Sequence, residues 1–294
     1  MMKQATKRLI RSYPSLNLKI NVTNNGKNML VVLPGLRFDD IDHTGQPDIW
    51  RVFEMINRVE HAGFYNNGVP FLDYTSLNKQ NFSSIVKACS LEVKKDFYET
   101  ITPKAPLDIT VSLAHIGKTT FTTVCEMSCG GKMKPSVKIK NMHTLMNVAR
   151  SEVAEIPDWW RNRFGSVEMD TVQPHILNIT PLTRPETAFL HPFAVPLSDT
   201  DIWRRTRCSS YVRYFFEVAS IASYREHFKK IQNFHEFHVK TMQMLYFDST
   251  CWGDALTSAC WEDNDPLILH CNVNKGGKPV WYANVDLYSE VFGW

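Results

Sequence analysis

In the stretch Asp39-Asp40-Ile41-Asp42-His43-Thr44-Gly45-Gln46-Pro47-Asp48-Ile49-Trp50, acids crowd around a glycine and a proline just ahead of an apolar-periodic run. Two kinds of chemistry fit. Acids ahead of a helix stabilise the turn and meet the positive end of the helix dipole. A carboxylate in the same place can also act as base or nucleophile on a carbonyl, while helix amides receive the developing oxyanion. Both roles are open to Asp42, whereas Asp40 reads as structural. Gln46 can donate to a carbonyl or orient a water, but it cannot shuttle protons. Asp48 is a second candidate carboxylate, because a neighbouring acid raises a pKa toward a useful value for a base. The alternative is a first-turn acid that complements the dipole. Gly45 permits close backbone approach. Glu54, further along the same run, is either a candidate base or an exposed helix acid.

These residues need a helix to hold them, and the sequence supplies one. Ile49, Val52, Phe53, Ile56 and Val59 recur at three- and four-residue steps, ending near Gly63, with Pro47 suited to the helix start. A strand over Met29 to Leu33 leads in. Strand-like runs follow at residues 88–99, 107–117 and 118–132, rich in Val, Ile, Thr and Phe. The same order then recurs. Ser198-Asp199-Thr200-Asp201 precedes a helix with Tyr211, Val212, Phe215, Phe216 and Ala219 in register, and strand-like runs follow to Tyr288. Gly130-Gly131-Lys132 has a counterpart in Gly276-Gly277-Lys278, and Cys125 and Cys271 precede them at equal spacing.

The chain therefore reads as an internal duplication, with extra residues after the first helix in the segment 67–84. Pairing the copies covers sheet edges and faces that one copy leaves open. The expected division is a basic arm over 1–28, a first domain over 29–165, a linker over 166–188 with a short helix around Trp159 just before it, and a second domain over 189–294. The basic, acid-poor first residues admit a mitochondrial targeting helix, but without a long apolar face they read better as a solvated arm, which leaves a cytoplasmic protein.

Composition excludes several classes. The chain has 294 residues, 44% hydrophobic and 21% charged, with net charge +3. That balance does not suggest a nucleic-acid partner without a basic patch. No apolar run approaches the roughly 18 residues needed for a membrane span. Seven scattered cysteines without a CxxC pair fit free thiols rather than a disulfide framework. His235 and His238 form His-x-x-His, but on a strand they would face opposite ways, a poor metal geometry. Cys125 and Cys129 lack partners at zinc spacing. No metal and no cofactor are expected.

The Asp-x-Asp turn before a helix, repeated and followed by antiparallel strands, resembles the double hotdog thioesterases that act on acyl-ACP and acyl-CoA. The segment Ile156-Pro157-Asp158-Trp159-Trp160 adds to the resemblance. It implies an α+β fold of two tandem hotdog domains, each a long helix wrapped by an antiparallel sheet. It also implies a pseudo-dimeric monomer or a higher homo-oligomer, and an acyl thioester as partner. Asp42 would be general base or nucleophile, with Gln46 and Asp48 beside it and Gly45 at the carbonyl. Glu54, Asp201, Arg205 and Arg207 would contact substrate, the arginines gripping phosphates or else pairing with nearby acids. The sequence departs from the family pattern at Gln46, where a histidine is common, and at Arg204, Arg205, Arg207 and Cys208 in the second copy. The first copy is therefore the expected site. A silent acyl-binding protein and a hotdog lyase or isomerase are the competing readings.

Overall fold

The computed structural model describes residues 20–66, 68–99, 104–165 and 177–289. Alternation of apolar and polar side chains makes Ile20–Thr23 strand β1, which pairs antiparallel with β2, Asn28–Leu33. Of the arm expected over 1–28, residues 1–19 lie outside the described residues, while 20–23 and 28 are in strands. Ile20 and Val22 pack on the core, a period-two signal masked in the sequence by the surrounding basic residues. Helix α1, Ile49–Phe64, buries Ile49, Val52, Phe53, Ile56, Val59 and Phe64 on one face. A 3-10 turn at Phe71–Asp73 and short helix α2, Tyr74–Lys79, take up the extra segment of the first copy.

Four strands complete the first half: β3 Phe82–Val93, β4 Leu107–Ile116, β5 Thr120–Cys129 and β6 Val137–Asn147. The short strand β7, Glu152–Val153, pairs with β6, and helix α3, Asp158–Phe164, follows. The second half repeats the plan with β8 Phe189–Ala194 and helix α4, Cys208–Tyr224. It ends with β9 Val239–Tyr246, β10 Ala255–Glu262, β11 Ile268–Lys275 and β12 Lys278–Leu287.

All but β7 lie along one sheet in the order β1-β2-β4-β5-β6-β3-β9-β12-β11-β10-β8. Apart from β1, the order reads the same outward from the β3–β9 seam, each strand meeting its copy. At that seam Cys89 pairs with Met244 and Leu91 with Met242 in antiparallel register. The two glycine pairs sit at corresponding turns, β5 to β6 and β11 to β12. The sheet wraps α1 and α4, which pack against each other within one core. Among the described residues, no helix is long and apolar enough to cross a membrane.

Candidate active site

The acidic stretch folds as a miniature hairpin. Ile41 bridges Pro47, the Asp42 amide donates to the Gln46 carbonyl at 2.8 Å, and the Gly45 amide donates to the Asp42 carbonyl at 3.0 Å. Gly45 has φ +82°, a left-handed conformation that glycine adopts without a Cβ penalty. One carboxylate oxygen of Asp42, Oδ1, accepts from the Thr44 amide (2.8 Å), the Thr44 hydroxyl (2.6 Å) and the Gln46 amide (3.1 Å). Asp40 is buried, and its Oδ2 accepts from the Arg37 amide at 2.8 Å. Asp48 is the residue before the first turn of α1, whose first amides have no carbonyl four residues back.

The second copy repeats the backbone bonds of this hairpin, without the hydroxyl donor that Thr44 supplies in the first. Thr200 bridges Thr206, the Asp201 amide donates to the Arg205 carbonyl at 2.8 Å, and Asp201 Oδ1 accepts from the amides of Trp203 and Arg205. Arg204 takes the left-handed place of Gly45 with φ +62°. Arg207 stands where the first copy has Asp48.

The first hairpin opens on a cleft of about 350 Å³. One wall carries Asp42, His43, Gln46, Asp48, Ile49 and Trp50. The opposite wall comes from the second half, with Arg213, Phe216, Glu217 and Ser220 on α4. Tyr98 and residues Phe234, His235, Phe237 and His238 close the rest. The cleft is thus a joint product of both copies. Its volume lies at the lower end of the range for small-molecule sites.

Burial pushes the Asp48 carboxyl up to about 6; the Arg51 guanidinium at 3.7 Å opposes this and the charge of Asp42 adds to it. Burial also lowers the His235 and His238 imidazoles below the usual histidine range. The His43 ring adds to this at His235, while the charge of Asp42 opposes it at both. His43 and His235, one from each half, meet edge to face at 4.9 Å. Arg213 is paired with Asp199 and lies over the Trp50 ring at 5.7 Å.

Asp42, Gln46 and Asp48 therefore share one cleft, with Gly45 shaping the turn behind them. Glu54 faces away from it, bound to Arg58 at 2.7 Å and to Arg207 at 3.5 Å. Asp201 is engaged in its own turn, and Arg205 lies over the exposed Trp203 ring at 5.4 Å. Asp201, Arg205 and Arg207 are not among the residues that line the first-copy cleft. His235 and His238 do not lie on a strand with opposed faces: a 3-10 turn at Phe234–Glu236 precedes β9, and both side chains line the cleft. The strand geometry expected for these histidines hid their place in the cleft, because only the fold brings residues 234–239 against the acidic turn.

No protein-family model and no curated protein matches the sequence. Solved structures do. The chain is similar to the 12:0-ACP thioesterase from Umbellularia californica, with TM-score 0.71 and 14% identity over 91% of this chain and 99% of that one. It is similar to an acyl-ACP thioesterase from Bacteroides thetaiotaomicron, with TM-score 0.68 and 14% identity over 90% of this chain and all of that one. Likeness at such low identity speaks for architecture rather than chemistry. The repeated strand–helix–sheet plan, the symmetric strand order and these superpositions together make the chain a double hotdog protein.

Proposed function

We propose that the chain hydrolyses an acyl thioester, carried by coenzyme A or an acyl carrier protein, in the cleft beside Asp42 and Asp48. The observation that carries this reading is Asp48: a carboxyl near pH 6 in a cleft, at the amide-rich start of a buried helix. A base poised near neutrality suits general-base catalysis. The thioesterase names of the solved neighbours support the same class.

The sequence pointed to Asp42 as base or nucleophile. Its Oδ1 already accepts three hydrogen bonds, so we assign proton abstraction to Asp48 and give Asp42 the task of keeping a negative charge beside it. Asp48 takes a proton from water as the oxygen attacks the carbonyl carbon. The Ile49 amide, at the positive helix end, stabilises the oxyanion, while the Trp50 amide and indole N–H hold the Asp48 carboxylate. The carbon–sulfur bond then breaks, and Asp48 returns the proton to the leaving thiolate. The products are a carboxylate with its proton and a free thiol. Gln46 orients the water or the carbonyl.

The test is thiol release from a panel of acyl-CoA and acyl-ACP substrates. Turnover should fall as pH drops through about 6, where Asp48 becomes protonated. Asp48→Asn should lower kcat by about 100-fold or more. Binding of acyl chains without thiol release from any substrate would refute hydrolysis and leave the silent acyl-binding reading.

A further inference from the structure

The second hairpin keeps the geometry of the first but changes its surface. Where the first has His43, Thr44, Gly45 and Gln46, the second has Ile202, Trp203, Arg204 and Arg205. Ile202 is 87% exposed and Trp203 54%. The loop between β9 and β10 is tied alongside: the Thr206 amide donates to the Thr250 carbonyl at 2.8 Å, and the Trp252 amide to the Arg204 carbonyl at 3.0 Å. That loop adds Trp252, 52% exposed. Each tryptophan carries a guanidinium over its ring, Arg204 on Trp252 at 5.5 Å and Arg205 on Trp203 at 5.4 Å.

Nothing about stability asks for this set. Solvent-facing Ile and Trp bury no core surface, and a left-handed arginine is costlier than the glycine at the matching place in the first copy. The nearby acids are already occupied. Asp201 accepts the turn amides, Asp254 pairs with Lys275 at 2.7 Å, and Asp248 accepts the Ser249 amide. Among the described residues Arg204 and Arg205 have no carboxylate ion pair, so the knuckle is apolar at its tip and cationic around it.

We propose that this knuckle seats the protein on an anionic membrane surface. Ile202 enters the acyl boundary, Trp203 and Trp252 lie at headgroup depth, and Arg204 and Arg205 meet lipid phosphates. A protruding aliphatic tip, flanking tryptophans and outer guanidinium groups match the depth profile of a bilayer surface better than a flat protein interface. The contact is peripheral and needs no spanning segment. It stands apart from the hydrolase reading, because its readout is binding.

The test is co-sedimentation of the full chain with phosphatidylcholine vesicles, with and without phosphatidylserine, followed by tryptophan emission. Binding is expected to anionic vesicles, with a blue shift, and to weaken as salt rises. The double variant Trp203→Ala, Trp252→Ala should bind about tenfold or more weakly. Ile202→Asp should do the same, and both variants should keep the parent's circular dichroism and thermal midpoint. The basic N-terminal residues can add salt-sensitive attraction, so the tryptophan variants decide. Equal binding by parent and variants, or equal binding to polyglutamate, would overturn the proposal, the latter in favour of an acidic protein. So would absence of binding to anionic vesicles.

Discussion

Asp48 serves two opposed demands. A carboxyl raised to about 6 suits proton abstraction, but it binds its proton more tightly in the folded chain than in the unfolded one, where its value is near 3.8. Its folded-state cost is therefore absent below about 3.8, grows as pH rises, and is complete above about 6. Asp48→Asn should remove that cost. Thermal unfolding is expected to show the variant more stable than the parent at pH 8, by about 1 kcal/mol after allowance for partial exposure, with the difference vanishing near pH 4. A gain that persists at pH 4 would mean that burial and like charge are not its cause. Loss of activity together with gain of stability is the signature of a carboxyl held for chemistry.

At the scale of elements, the two hairpins form a natural control pair. Gly45→Ala puts a Cβ where φ is +82° and should cost about 1–2 kcal/mol, read by urea denaturation. Arg204→Gly, at the matching position, should cost nothing in stability and weaken vesicle binding. Helix α1 is anchored to the sheet by a different device. Glu60 is buried and accepts from Asn141 at 2.9 Å, with Thr123 and His143 also bound to it. Burial alone would raise its pKa, but these partners outweigh that and hold it below 4.5. Its contribution is thus present above pH 4.5 and lost as pH falls through the lower folded value. Glu60→Ala leaves a buried hole and orphaned partners, and should cost about 3–5 kcal/mol at pH 7, measured by chemical denaturation. A loss under 1 kcal/mol would show that the network is replaceable by water.

For the whole molecule, the seam between β3 and β9 joins the halves and sets the cleft, since α4 and the turn before β9 supply one wall. Ser90 pairs with Gln243 at the middle of that seam. Ser90→Pro removes an amide from a strand bonded on both sides and should cost about 3 kcal/mol or more. Thiol release should fall with it, because the cleft wall goes when the seam opens. Fluorescence unfolding and turnover measured on the same sample test the link; unfolding without loss of turnover would place the chemistry elsewhere.

The sequence by itself determined what local rules encode: the helix periods, the Asp-x-Asp turns, the glycine turns and the duplication that pointed to a double hotdog. Asp42, Gln46 and Asp48 were legible as a candidate set because a hairpin of a few residues fixes their spacing. Strand β1 was hidden under charge, since its apolar alternation spans only Ile20 to Val22. Tertiary structure alone decided which side chains meet. His235, His238, Arg213 and Glu217 reach the acidic turn across the seam, at a sequence distance no periodicity encodes. It also turned Glu54 toward Arg207 and left the second hairpin at the surface. The physical reason is the same in each case. Backbone rules act within a few residues, whereas a cleft forms where two copies of one plan pack against each other.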